Sequence, residues 1–214
     1  MRFALFMAAS VMALVAAAAH HQGDVLAGLG IVDRMDAWNQ SDERLAPEPP
    51  RQGLVRNEPI IDRKNGSSIV QRASFRVRGL VLSTRRYSTD QESEFSPLDL
   101  ALAWGPMSAP SQAEKLSVSQ GGRYMQWRFS AGSGLKTGAV STSTANMHMI
   151  PANAEVERAL KTVRRGDIVT LEGSLVDVRR PGGWRWRSSL SRSDAGSGAC
   201  EVVYVESVDI DRPG

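Results

Sequence analysis

The sequence holds a single cysteine in 214 residues, which excludes an intramolecular disulfide. A lone thiol such as Cys200 is buried as a small apolar group, paired between chains, or used for its reactivity. Histidine is nearly as scarce, at three, and only His148 lies mid-chain. Aromatic residues make up 6% of the chain. No sign of charge dominates: 26 basic residues face 23 acidic ones, a formal charge of +3. That balance excludes a nucleic-acid partner recruited by bulk electrostatics. There is no phosphate loop, dinucleotide fingerprint, zinc-ligand pair or paired-carboxylate motif, so no cofactor is expected. No internal repeat is present.

What is there begins with one long uncharged run. Met1-Arg2 is followed by residues 3–19 without a charge, ending in four alanines. This is the pattern of a signal peptide or an N-terminal membrane anchor over residues 1–19. The small-residue end fits cleavage after Ala18 or Ala19, and retention is the alternative, at the lower length limit of a span. In both cases the chain is expected to be an exported cell-envelope protein, periplasmic or anchored in the inner membrane with its domain facing the periplasm. Cleavage would put His20 or His21 beside the new amino terminus, where amine and imidazole suit Cu or Ni chelation. The plainer reading is a polar tail.

Residues 20–66 read as an extended, Pro-containing spacer. Val25 to Met35 has enough apolar residues for a short helix, and Leu45-Ala-Pro-Glu-Pro-Pro50 is polyproline-like. A β-rich globular domain is expected over 67–214. Phe75 to Leu82 alternates with period two, as a strand does. Ser96 to Trp104 carries a serine, an early proline and an apolar run, and is read as a short helix. Tyr124 to Phe129 is a strand. Asn153 to Arg165 is the best helix, with Asn153 as its cap and Val156, Leu160 and Val163 on one face. Asp167 to Val178 and Trp184 to Leu190 form a hairpin about Pro181-Gly-Gly183. Cys200 to Ile210 is the last strand. In Arg165-Gly-Asp-Ile-Val-Thr-Leu-Glu-Gly173 a turn glycine feeds a strand and a second glycine permits curvature. The expected fold is mainly β (α+β): a small curled sheet or partly open OB- or SH3-like barrel with one or two short helices.

Four phrases occur together: Ala46 to Gln52, Ser96 to Ser108, Asn146-Met-His-Met-Ile-Pro-Ala152, and Ser188 to Glu201. On these the chain resembles a group of short exported bacterial envelope proteins with no assigned activity. The resemblance spans about residues 46–208 and implies one domain, but no reaction.

Candidate chemistry follows from residue types. Cys200 or Ser189 (with Ser188 beside it) are possible nucleophiles, His148 the base, and Asp99, Asp194 or Glu201 possible orienting carboxylates. Their plainer roles are a structural histidine near Pro151 and a buried strand cysteine. Met147-His148-Met149 offers soft ligands, but in an extended chain the methionines point away from the histidine. Ser191 to Gly198 is a serine- and glycine-rich loop, most simply a connection. Trp184-Arg185-Trp186-Arg187 alternates aromatic and cation, with the tryptophans on one face and the arginines on the other. That stretch fits a docking surface for an envelope protein, an anionic lipid or a glycan. The function expected first is a non-enzymatic binding or structural module. A Cys/Ser-His hydrolase or acyl-transfer enzyme is the alternative.

Overall fold

The computed structural model describes residues 44–191 and 199–213. The expected leader, the first part of the spacer, its short helix, His20, His21 and Asp194 lie outside the described residues. Among the described residues there are ten strands: β1 (Arg51–Leu54), β2 (Ile60–Lys64), β3 (Ser67–Arg86), β4 (Leu98–Ala103), β5 (Ser117–Gly121), β6 (Tyr124–Arg128), β7 (Thr144–Pro151), β8 (Ile168–Arg179), β9 (Arg185–Arg187) and β10 (Glu201–Asp211). Three short helices join them: α1 (Pro110–Ala113), α2 (Thr137–Thr142) and α3 (Ala154–Leu160).

The main sheet runs β1-β3-β4-β7-β10-β8-β9, and β3 also pairs with β8. The twenty residues of β3 make this possible: residues 68–80 pair with β8 and residues 80–86 with β4. Five strands thereby curl into a ring, β3-β4-β7-β10-β8. All neighbours in it are antiparallel except β7 and β10, which are parallel. Helix α3 lies between β7 and β8 in sequence. This is the connectivity of an OB-type barrel, the partly open five-stranded Greek-key form.

Side-chain alternation explains the curl. Phe75 and Val77 on β3 are buried while Arg76 and Arg78 between them are exposed. Leu98, Leu100 and Leu102 of β4 join Met147, Met149, Leu171 and Val203 inside the barrel. Val156, Leu160 and Val163 close one end of that core, which is why the amphipathic face of α3 exists. Asn153 caps α3 as expected, its Oδ1 accepting from Glu155 N at 2.9 Å and Val156 N at 3.0 Å. Gly173 sits where β10 is bulged, and a Cβ there would lie 2.0 Å from the Tyr204 carbonyl oxygen. Only glycine permits that approach.

Four expectations change. The helix expected over Asn153 to Arg165 ends at Leu160, and Val163 lies beyond it. Residues 98–103 are a strand, not a helix: all six are buried because the strand lies between β3 and β7, with the core on one face and covering segments on the other. Ser96 therefore caps no helix, and its hydroxyl donates to the Leu98 carbonyl at 3.1 Å. The spacer loses its second half to the folded unit. β1 and β2 pair with β3, and the Pro-rich stretch is docked, with Ala46 fully buried and Ala46 N donating to Ser108 Oγ at 3.1 Å. The last hairpin strand is shortened to Arg185–Arg187.

The outer faces of the barrel are covered by two further clusters. Residues 104–143, an insertion carrying β5, β6, α1 and α2, pack Met107, Leu116 and Val140 over Leu82 and Ala101. The loop before β4 and the β8–β9 hairpin pack Phe95, Trp184 and Trp186 over Val176, Val202 and Tyr204.

Candidate functional site

The register of β4 on β7 sets Asp99 directly opposite His148. Both side chains point away from the leucine core, since Leu98 and Leu100 on either side of Asp99 point into it. Asp99 is fully buried and His148 is 3% exposed. Asp99 Oδ1 lies 3.0 Å from His148 Nδ1, within ion-pair range but at an angle outside that of a hydrogen bond. Asn146, two residues along the same face of β7, places Nδ2 3.4 Å from Asp99 Oδ2 and 3.9 Å from Cys200 Sγ.

A buried carboxylate needs a cation or strong donors. Arg123 provides them from the tip of the β5–β6 hairpin. Gly122 and Arg123 form its two-residue turn with φ of 55° and 69°, the mirror-image turn that suits strand twist. A left-handed arginine is unusual, and such backbone is retained where the surroundings hold it. Here they do. Arg123 Nη1 donates to Asp99 Oδ1 at 2.8 Å, while Nε and Nη2 donate to the two Asp90 oxygens at 2.9 and 2.7 Å. Its guanidinium also lies 3.9 Å from the centre of the Tyr87 ring, and its backbone N donates to Tyr87 Oη at 3.2 Å.

The electrostatics follow. The Arg123 hydrogen bonds hold the Asp90 carboxyl below its usual range against the opposing effect of burial. Burial opposes the Arg123 charge, and the two carboxylates outweigh it and raise its pKa. Burial pushes the Tyr87 phenol up, and the charge of Asp99 adds to this.

This cluster floors a cavity of about 810 Å³. Its walls include Asp90, Arg123, His148, Arg185, Trp186 and Cys200. The Trp186 ring is 4.8 Å from the His148 ring, tilted by 43°. Arg185 and Arg187 are exposed on β9 while Trp186 between them is half-buried, the alternation expected from the sequence. Cys200 is half-buried, with Sγ 3.7 Å from the Arg123 carbonyl oxygen. His148 and Cys200 therefore share one cavity with Asp99 behind the ring.

Other candidates separate from it. Trp184 stacks on Phe95 at 6.3 Å and is not part of the lining. Ser189 is also outside the lining. Its hydroxyl accepts from Ser191 N at 3.0 Å and donates to Ser191 O at 3.2 Å. Ser188 Oγ accepts from Val202 N at 3.1 Å. The Ser189 hydroxyl serves its own turn, and that of Ser188 ties this segment to β10. Among the described residues no group of three histidines, cysteines or carboxylates is placed to hold a metal ion.

Arg123, Asp90 and Tyr87 were not legible as site residues. Arg123 sits in a hairpin whose first strand, Ser117–Gly121, alternates only weakly. The Gly121-Gly122 pair before it was the available signal.

Comparison with protein-family models, curated proteins and solved structures gives no match. Among the described residues no helix is long and apolar enough to cross a membrane.

Proposed function

We propose that this protein is a binding module: an OB-type barrel that holds a small organic anion with a flat face against Trp186. The observation that carries this is the pair Arg185 and Arg187. They stand exposed beside the cavity with no ion-pair partner among the described residues. Arginine pairs with carboxylate or phosphate in a fork geometry, and a tryptophan beside it supplies flat apolar area. Arg123 is already committed to Asp90 and Asp99, so the two strand arginines are the available cations.

The position of the cavity supports the same reading. OB barrels bind ligands on the face of their second and third strands and on the loops after the first and fourth. Here those elements are β4, β7, the loop carrying Asp90, and the β8–β9 hairpin with Cys200. That is an argument from fold alone, and the arginines and Trp186 give it chemistry.

The proposed setting is the cell envelope, on the strength of the apolar run at residues 3–19. Phosphate- or carboxylate-bearing lipid and glycan groups are the anions that such a setting offers. Fractionation and intact mass of the expressed full chain test the export step. A cytoplasmic chain of full mass would remove it.

Binding is tested by titrating nitrophenyl phosphate into the full chain and following the Trp186 indole N–H by NMR. A saturable shift is expected, weakened about tenfold or more when Arg185→Ser and Arg187→Ser are combined, as two charge-assisted pairs are lost. An unsaturable shift, or equal binding by the double variant, would refute the reading. The acyl-transfer alternative loses Ser189, which lies outside the lining.

A further inference from the structure

Among the described residues, a thiol and an imidazole line one cavity, the Cys200 sulfur lying 3.7 Å from the Arg123 carbonyl oxygen and 3.9 Å from Asn146 Nδ2. Cys200 immediately precedes β10, and the parallel register of β10 on β7 sets Val202 opposite His148. Cys200 is thus displaced two residues along the neighbouring strand from His148, and both line the same space.

His148 is the observation that points to a ligand. Its ring is nine-tenths buried and more, yet only Nδ1 faces a protein group, the Asp99 carboxylate. Nε2 makes no hydrogen bond within the described residues while the ring lines the cavity. A purely structural buried histidine spends both nitrogens on the protein, because an unmade bond in the interior is costly. Here neither nitrogen makes a hydrogen bond among the described residues: Nδ1 stands 3.0 Å from the Asp99 carboxylate, and the ring lines the cavity, where an entering group can meet it.

We propose that Cys200 is a reactive thiol, with His148 as its proton acceptor, that forms a mixed disulfide with a small anionic disulfide entering the cavity. The choice of an anionic partner rests on the reading of Arg185 and Arg187 given above. Thiolates are the attacking species, and cationic, partly exposed surroundings favour them. The charged groups around the thiol are Asp90 and Glu92 on the loop before β4, Asp99 and His148 on the barrel, Arg123 on the hairpin, and the two β9 arginines.

The step balances. His148 Nε2 takes the Cys200 proton. The sulfur attacks one sulfur of the incoming disulfide, a new S–S bond forms and the old one breaks. The departing thiolate carries the electron pair and takes the proton from His148. Cys200 is oxidised and half of the partner is reduced to a thiol, so the incoming disulfide is the only oxidant. No oxyanion donors are needed, unlike in acyl transfer.

The chain's single cysteine makes the experiment clean. The full chain is reacted at neutral pH with bis(nitrobenzoate) disulfide, an anion, and with neutral dipyridyl disulfide, using N-acetylcysteine as reference. The ratio of anionic to neutral rate is expected to exceed that of the reference by about tenfold or more, from charge steering. Intact mass should show one mixed disulfide. Combining Arg185→Ser and Arg187→Ser, both exposed, should bring the anionic-to-neutral ratio down to that of the reference. His148→Gln should slow both reagents about tenfold or more. A ratio equal to the reference, or a His148→Gln chain that folds and reacts as fast, overturns the proposal.

Cys200→Ser separates the two readings. If it still binds nitrophenyl phosphate while the native thiol is inert, only the thiol chemistry falls. If the native thiol depends on His148 but shows no anionic preference, the anionic partner falls with the binding reading.

Discussion

Asp99 and His148 face each other across the β4–β7 pair, with Oδ1 3.0 Å from Nδ1 and both side chains shut away from bulk water. Arg123 reaches the same Asp99 oxygen from an insertion that begins only after β4 has ended. The dyad is therefore built by the sheet and neutralised by the hairpin. Removing the hairpin's cation should unsettle both the fold and the cavity.

Arg123→Met tests that dependence. It leaves Asp99 buried without its guanidinium, a loss of about 3–5 kcal/mol for a broken buried pair. Urea unfolding should show the midpoint falling accordingly. A change under about 1 kcal/mol would mean that Asn146 and His148 suffice to hold the carboxylate.

Gly173→Ala should be among the most damaging single-methyl changes in the barrel. The added carbon would meet the Tyr204 carbonyl at 2.0 Å, so β8 or β10 must move. A loss of about 3 kcal/mol is expected from overpacking, read from the same unfolding curve. Tolerance would show that the bulge in β10 can shift along the strand.

Asn153→Ala removes the two hydrogen bonds that start α3. A cost of about 1 kcal/mol is expected. Asn153→Ser should recover most of it. Thermal unfolding of the pair separates a lost cap from a lost side-chain volume.

Alkaline titration isolates Tyr204. Burial, then the Asp62 carboxylate that its hydroxyl faces at 3.1 Å, push this phenol up to about 12. Because the folded value lies above the unfolded one near 10, the group's contribution to stability is full below that value. It is lost as pH rises through about 12. Tyr204→Phe should remove the latest tyrosinate step in ultraviolet absorbance and flatten the fall in stability over that window. An unchanged late step would assign it to Tyr87 instead.

The sequence by itself determined the strands whose two faces differ. Phe75 and Val77 against Arg76 and Arg78, or Trp186 against Arg185 and Arg187, carry their orientation in their order, since side chains alternate along a strand. The cap at Asn153 and the curvature at Gly173 were local as well. Leu98 to Ala103 was misread for a physical reason: a strand covered on both faces loses its polar alternation, leaving an apolar run that a helix start signal can claim. Leucine at every second position, 98, 100 and 102, still marks the core face.

Only the tertiary structure decided the site. Asp99, Arg123, His148 and Cys200 come from four segments, joined by register between β4 and β7, by the parallel pairing of β7 with β10, and by the hairpin folding back over them. Pairing register is a long-range property, set by which strands share a core, and no local pattern of residues encodes which carboxylate will stand behind which histidine.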